Sequence, residues 1–203
     1  MKMAFDFDQG SSGSQGPWIG WAARSSHDGS IPAKSFFMRD GDGKSPFAGF
    51  TNGVVMDIDT MKTGWCYSSG VAGQAPDWKW NATVSKFNDK PGDDYKRGFQ
   101  IVCAIGGGET ATWEQSGAGA WNAFVNLVPH LHGQTDGKLP LVRMTGVKDE
   151  KFARGSTSTP LLEVVKWVDR PDCLKEGAGN IDTDSAPDAP TAPTAPVPSD
   201  AEF

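Results

Sequence analysis

Short runs in which apolar and polar residues alternate cover most of the chain between residues 18 and 169. Residues 53–59 are typical, because Val54, Met56 and Ile58 fall on one side of an extended chain. Gly, Asp, Asn and Ser separate the runs, as they do at turns. The pattern predicts about eight β-strands, at residues 18–24, 35–39, 53–59, 62–68, 78–85, 98–105, 139–147 and 160–169.

Some of these runs and the segments between them carry more specific predictions. Residues 62–68 follow 53–59 closely enough to return as its hairpin partner. Residues 160–169 are almost wholly apolar, which predicts a strand covered on both faces. Residues 43–47 and 148–158 are predicted as loops, the first a mobile clamp and the second a flexible charged segment.

One segment has helical instead of strand periodicity. Between residues 116 and 128, Trp121, Phe124, Val125 and Val128 recur at helical spacing, and Pro129 then prevents continuation. A mainly β chain with one helix inserted before its last strands is the arrangement of an OB-fold. We therefore predict an all-β fold, mainly β with one helix: an OB-fold-like five-stranded barrel with extra strands and long loops.

The chain divides by composition into a domain at residues 1–175 and a tail at residues 176–203. The tail's 28 residues contain six acidic groups, no basic ones and five prolines. Such a segment has too little apolar surface to offset the entropy cost of ordering, so we predict a disordered acidic tail. The chain has 19 Lys and Arg against 25 Asp and Glu, and since six of the acids lie in the tail, the domain itself is neutral.

An acidic tail on a neutral domain has three interpretations. It contacts other proteins, it occupies a basic groove on its own domain until a stronger polyanion displaces it, or it is a solubilising spacer. The first two suit a nucleic-acid-binding protein. The overall acidity of the chain does not argue against that function, because a neutral domain can carry a local positive groove.

Aromatic residues are abundant, with eight Trp, 11 Phe and two Tyr. Every nucleobase has a face that can stack on an aromatic ring, and Lys and Arg neutralise phosphates without reading sequence. Alternation predicts Trp78, Trp80, Trp121 and Trp167 as core residues. The stacking candidates are Phe37, Trp65, Tyr67 and Phe47, and the candidate phosphate contacts are Arg39, Lys44, Lys62 and Arg154. The segment around Arg154 either closes over a phosphate backbone or is a solvated charged loop.

The chain resembles the single-stranded-DNA-binding proteins of bacteria and bacteriophages, which have an OB-fold body and a flexible acidic tail ending in an aromatic residue. The resemblance is carried by the terminal sequence Asp200-Ala201-Glu202-Phe203, and residues 159–171 resemble phage-encoded versions. Bacterial relatives have two or more acids and a proline directly before the final Phe. Here four residues separate Pro198 from Phe203, which fits a phage partner better than a bacterial one.

The resemblance implies a non-enzymatic protein that binds single-stranded DNA with little sequence specificity in DNA replication, recombination or repair. It also implies that Asp200, Glu202 and Phe203 contact replication and recombination proteins. No cofactor and no metal are expected, and homo-oligomerisation is left open. Two alternatives remain: a phage structural or assembly protein, and a metal-dependent nuclease in which Asp57 and Asp59 hold magnesium.

Other candidate chemistry is weak. The glycines at residues 106–108 follow a predicted strand and precede the predicted helix, but they lack the spacing of a phosphate-binding loop. His130 and His132 lack a cluster of further metal ligands. The three cysteines fit free thiols in a reducing compartment. No apolar run approaches the length of a membrane span and the start lacks a signal region, so we expect a soluble cytoplasmic protein, in the host cytoplasm if it is phage-encoded.

Overall fold

A single β-sheet dominates the computed structural model, which describes residues 16–41, 43–71, 74–131, 136–152 and 155–175. Strands follow the neighbour order β3-β2-β1-β7-β6-β4-β8-β9, and β5 pairs with the end of β4. The strands are β1 (Trp18–Ala22), β2 (Ser35–Asp40), β3 (Gly43–Pro46), β4 (Val54–Tyr67), β5 (Asp77–Trp80), β6 (Lys96–Gly106), β7 (Glu109–Ser116), β8 (Lys138–Phe152) and β9 (Gly155–Asp169). The helices are α1 (Gly49–Asn52), α2 (Ala118–Leu127) and α3 (Asp172–Lys175).

The predicted fold class is confirmed: the protein is mostly β, with few helices and a strongly curled half-barrel sheet. Strands β4, β6 and β7 form an antiparallel meander, α2 follows, and β8 returns to pair with β4 before β9 completes the hairpin. This is the predicted order, with the long helix before the last two strands. The extra strands β1 to β3 extend the sheet beyond β7, to which β1 pairs in parallel.

The predicted hairpin between residues 53–59 and 62–68 is wrong, because both belong to the continuous strand β4. The register of β4 against β6 shifts between Asp57 and Lys62. Side-chain hydrogen bonds hold this irregularity, since the Thr60 hydroxyl donates to the carbonyl of Asp57 and accepts from the backbone N–H of Val102. The turn-like residues therefore form a bulge in one strand instead of a reversal.

Strand β7 was not predicted, and the loop predicted at residues 148–158 is strand instead in its described part. Gly106, Gly107 and Gly108 all have positive φ angles, which lets the chain reverse tightly from β6 into β7. The described part of 148–158 continues the long β8–β9 hairpin. Strand β9 is also not covered on both faces, because Leu161 and Val165 are exposed.

One face of the sheet, here called the core face, packs against α1 and α2. Its centre is aromatic: Phe99 stacks on Phe124 of α2 with ring centroids 4.2 Å apart, and Trp113 meets Phe99 edge to face at 4.7 Å. Such rings bury large apolar areas and stabilise the packing further by their geometry. The indole N–H of Trp21, also on the core face, donates to the carbonyl of Ser158 over 2.7 Å. This bond holds β1 close to β9, which the curling of the sheet brings together.

A much smaller apolar cluster covers part of the opposite face. Leu174 of α3 packs with Leu139 and Ala104 there. Helix α3 contacts one part of β6 and β7 there, and the part of that face on β5 and on β1 to β3 has no comparable contact with a helix in the described part of the chain. Among the described residues, no helix is both long and apolar enough to cross a membrane.

Candidate nucleic-acid interface

The part of the opposite face that α3 and Arg170 leave uncovered is named here the open face, and strand register identifies its residues. Directly paired residues lie on the same side of a sheet. Phe37 pairs with Gly20, Arg39 pairs with both Trp18 and Lys44, and these positions alternate with the buried Phe36. On strands β4 to β7, the same face carries Lys62, Trp78, Trp80, Lys96, Gln100 and Glu114.

Aromatic rings on the open face lie over glycines. A Cβ atom on Gly20 would come within 2.4 Å of the Phe37 ring, and one on Gly98 within 2.5 Å of the Trp78 ring. Trp78 also stacks on Trp80, with centroids 4.3 Å apart and planes 6° from parallel. Because a glycine removes the side chain beneath each ring, the rings lie close to the sheet and present a broad apolar surface.

Two sequence predictions are corrected at this surface. Trp78 and Trp80 are half-buried on the open face and do not belong to the core. Residues 43–46 form strand β3 instead of a clamp, and Phe47 beside them packs against Gly49 and Phe50. Phe47 is therefore tied to the core edge.

The structure brings together only some of the predicted DNA-binding residues. Phe37, Arg39 and Lys44 form one group, in which the Lys44 ammonium lies 5.8 Å from the centroid of the Phe37 ring. Lys62 shares the open face with them. Trp65 and Tyr67 lie on the other side of β4. Arg154, Asp200, Glu202 and Phe203 lie outside the described residues.

The sequence patterns did not indicate four of the open-face residues as binding residues: Trp18, Trp78, Trp80 and Lys96. A signal was available only for Trp18, which alternates with Gly20 in β1. The second glycine, Gly98, lies on a different strand from Trp78. Its role becomes visible only once the sheet register is known.

A carboxyl group lies among the open-face cations. Lys62, Gln100 and Glu114 form a cross-strand row. Burial raises the pKa of Glu114 above its usual range, because the ionised form loses hydration, and Trp78 and Lys62 oppose the rise. Trp78 makes no hydrogen bond of normal geometry to it, so the buried indole N–H has no partner among the described residues. The Trp78 indole N–H and the half-buried Glu114 carboxyl thus lie near each other on the open face without a hydrogen bond of normal geometry.

Replacing Glu114 with glutamine should stabilise the fold at pH 7 and strengthen polyanion binding. A carboxyl whose pKa is raised on folding favours the folded state when protonated, and this advantage is lost as the pH rises through the folded pKa. The stability difference between Glu114→Gln and wild type should therefore be smallest near about pH 4, grow as the pH rises through the folded pKa and then level off. Urea unfolding at several pH values measures it, and a variant that gains no stability at high pH contradicts the assignment.

A cavity of about 510 Å³, here called the cleft, opens where β4 ends and α2 begins. Its lining is aromatic and cationic: Trp65, Tyr95, Trp121, Lys90, Lys96, Arg97, Gly117 and Ala118. The Arg97 guanidinium lies 5.6 Å from the ring centroid of Trp65 and 5.0 Å from that of Phe87. Tyr67 lies beside Tyr95, with centroids 5.7 Å apart. The two sequence candidates on this side of β4 are thus part of, or next to, the cleft.

Asp57 and Asp59, the acids of the nuclease alternative, are engaged by Arg170. The guanidinium forms ion pairs with both carboxylates, and Asp57 is almost fully buried while Asp59 is exposed. The hydrogen bond to Asp57 raises the pKa of Arg170 further. Within the described ranges, no group of three or more His, Cys, Asp or Glu side chains is arranged to hold a metal ion. These two acids therefore serve to attach the C-terminal segment of the domain to β4.

Known proteins supply no assignment for these surfaces. No protein-family model, no curated protein and no solved structure matches the chain. The open face and the cleft are therefore interpreted from their own chemistry.

Proposed function

We propose that the protein binds single-stranded DNA non-enzymatically and with little sequence specificity, across the open face. The observation that supports this function is that aromatic rings and cations share the uncovered part of one side of the sheet. The rings belong to Trp18, Phe37, Trp78 and Trp80, and the cations to Arg39, Lys44, Lys62 and Lys96. Bases would stack on the rings while the cations neutralise the phosphates between them.

The pattern of charge supports a single-stranded polyanion as the ligand. Lys44, Lys62 and Lys96 are exposed and form no ion pair with any described residue, so they do not have to give up a carboxylate to meet a phosphate. Stacking on a ring requires a base whose face is free, and in a duplex the neighbouring base pairs cover those faces. A duplex would offer this surface only its phosphates, so we expect weaker binding.

The same proposal extends to the tail and to the setting of the activity. Residues 176–203 are acidic and proline-rich, and we infer that Asp200, Glu202 and Phe203 recruit replication, recombination or repair proteins. The aromatic side chain would enter an apolar pocket of the partner and the acids would meet basic residues around it. This activity would take place in the cytoplasm, in the host cytoplasm if the protein is phage-encoded.

Titration of tryptophan fluorescence with oligo-dT and with a duplex of equal length tests the function directly. Stacked bases quench tryptophan, and phosphate contacts make the affinity fall as salt rises. We expect quenching by the single strand that weakens at higher salt, and little quenching by the duplex. No response to the single strand at low salt would remove the proposal.

Phe37→Ala is the sharpest single substitution on the open face. The loss of one stacked base costs about 1–3 kcal/mol, which corresponds to a roughly 5- to 150-fold weaker affinity for oligo-dT. Phe37→Trp keeps a ring over Gly20 and should retain most of the binding, while Val165→Ala, on the exposed part of β9, should leave it unchanged. Fluorescence anisotropy with labelled oligo-dT measures all three. If Phe37→Ala is folded and binds like wild type, Phe37 is not a stacking residue.

A further inference from the structure

The cleft has an aromatic wall that leads from its surface towards the core. Trp65, Phe87 and Trp121 form a row of edge-to-face contacts, with centroid distances of 5.6 Å and 5.5 Å. The Trp65 indole N–H donates to the carbonyl of Asn88 over 2.9 Å, which fixes the plane of the ring. Trp121 in turn packs against Phe124 of the core at 5.6 Å. The wall is therefore held in place before any ligand arrives.

The lining of the cleft is positively charged, and the Asp77 carboxylate that accepts a hydrogen bond from the hydroxyl of Tyr95 also pairs with Lys79. Lys90, Lys96 and Arg97 line the cavity, and none of its lining residues is acidic. Within the described residues, the Arg97 side chain makes no hydrogen bond or ion pair, and the Lys90 ammonium donates only to the carbonyl of Asp93. The excess of positive charge is local to the cleft, because the domain as a whole has equal numbers of acidic and basic side chains. A guanidinium fixed on two rings keeps its N–H groups available for an anion.

The start of α2 adds to the same potential. Ala118 is the first residue of this ten-residue helix and lines the cleft, with Gly117 before it. No side chain caps this end and no acidic residue lies in the first turn. Free backbone N–H groups at a helix start favour an anion. The cavity volume of about 510 Å³ lies within the range of about 300–1,000 Å³ that small-ligand pockets occupy.

The cleft and the open face meet at one end of the sheet. Cys66 of β4 pairs with Trp78 on one side and Lys96 on the other, which places both on the open face. One residue earlier, Trp65 pairs with Arg97, and both point to the cleft side. Lys96 itself also lines the cleft. Aromatic and cationic side chains thus continue around the sheet end without a break.

From these observations we infer that the cleft is a second nucleotide site for the same DNA strand. One base packs against the Trp65 and Trp121 wall, and its phosphate contacts Arg97, Lys96 and the start of α2. A bound single strand then passes from the open face, over Lys96 at the sheet end, into the cleft. This inference rests on the proposed function, because it assigns the path of the same ligand.

Oligonucleotide length separates the two sites. Affinities for oligo-dT of about 4 and about 16 nucleotides, the span of site sizes known for single OB-folds, are measured by anisotropy. The cleft variant Arg97→Gln should bind the longer strand about fivefold more weakly at 0.1 M salt and the shorter one as wild type does. The open-face variant Phe37→Ala should weaken both. Lys138→Gln, on β8, is the matched control and should change neither.

A second cleft variant distinguishes a loss of DNA binding from a folding defect. Ala118→Asp places a negative charge at the exposed start of α2, where it favours the helix while repelling phosphate. It should melt at or above the wild-type temperature and still bind the longer strand more weakly. Cleft variants that bind both lengths like wild type, while Phe37→Ala does not, would overturn the second site and leave the proposed function intact. Equal weakening at both lengths would overturn the path around the sheet end. No binding of either length by wild type would instead remove the proposed function.

Discussion

Glutamine in place of Arg39, Lys44 and Lys62 together should weaken the binding of oligo-dT about 100-fold at 0.1 M salt. Each neutralised phosphate changes the slope of log K against log salt by about 0.7 for single strands, so three lost contacts change it by about 2. All three cations lie on the open face by register. The reduction should be largest at low salt and should shrink as salt approaches about 1 M, where released counterions no longer favour binding.

The measurement is a salt series of oligo-dT affinities for the variant and for a control of equal charge. The control replaces Lys34, Lys138 and Lys151 with glutamine; all three are exposed, and none lies on the open face. If binding followed net charge alone, both triple variants would lose the same affinity. We expect the control to keep a slope close to that of wild type. A control as weak as the open-face variant would show that binding is not localised to that face.

Period-two alternation predicted the open-face group at β2 correctly. It placed Phe37 and Arg39 on one side of the strand and Phe36 on the other, and Phe36 is buried in the core. Such a pattern can be recognised in the sequence because the face on which a side chain lies depends only on its position within its own strand. The continuity of β4 could not be predicted in this way, because its middle contains Asp and Thr residues that also occur in turns. The backbone pairing shows that the chain continues as a strand, and hydrogen bonds accepted by the Asp57 carboxylate and donated by the Thr60 hydroxyl hold the bulge.

The side of the sheet on which an aromatic pair lies depends on other strands. Alternation put Trp78 and Trp80 together, and the structure stacks them. Whether that shared face is the core depends on the register of β4 and β6, which brings Gly98 beneath Trp78. A similar limit applies to Phe37, Trp65 and Tyr67. Each was recognised as an aromatic on a strand, but the division between open face and cleft follows from pairing across distant parts of the chain.

The pair formed by Arg170 with Asp57 explains why the C-terminal end of the domain stays on the sheet. Arg170 follows β9 directly, and its guanidinium contacts a carboxylate on β4 that is almost completely buried. Leu174 of α3, four residues later, packs into the small cluster on the same face. The attachment therefore combines the ion pairs of Arg170 with the apolar packing of Leu174. It covers the part of the sheet that would otherwise extend the open face.

Arg170→Ala should lower the free energy of unfolding by about 3 kcal/mol. Removing one partner of a buried ion pair leaves the other charge desolvated without compensation, and here the remaining charge is on Asp57. The double variant Arg170→Ala with Asp57→Asn removes that charge and should recover much of the loss. Asp59→Asn alone should cost little, because the Asp59 side chain is 73% exposed. Urea unfolding measures the free energies. A double variant no more stable than Arg170→Ala would locate the loss in the packing of the arginine side chain instead of in the unpaired carboxylate.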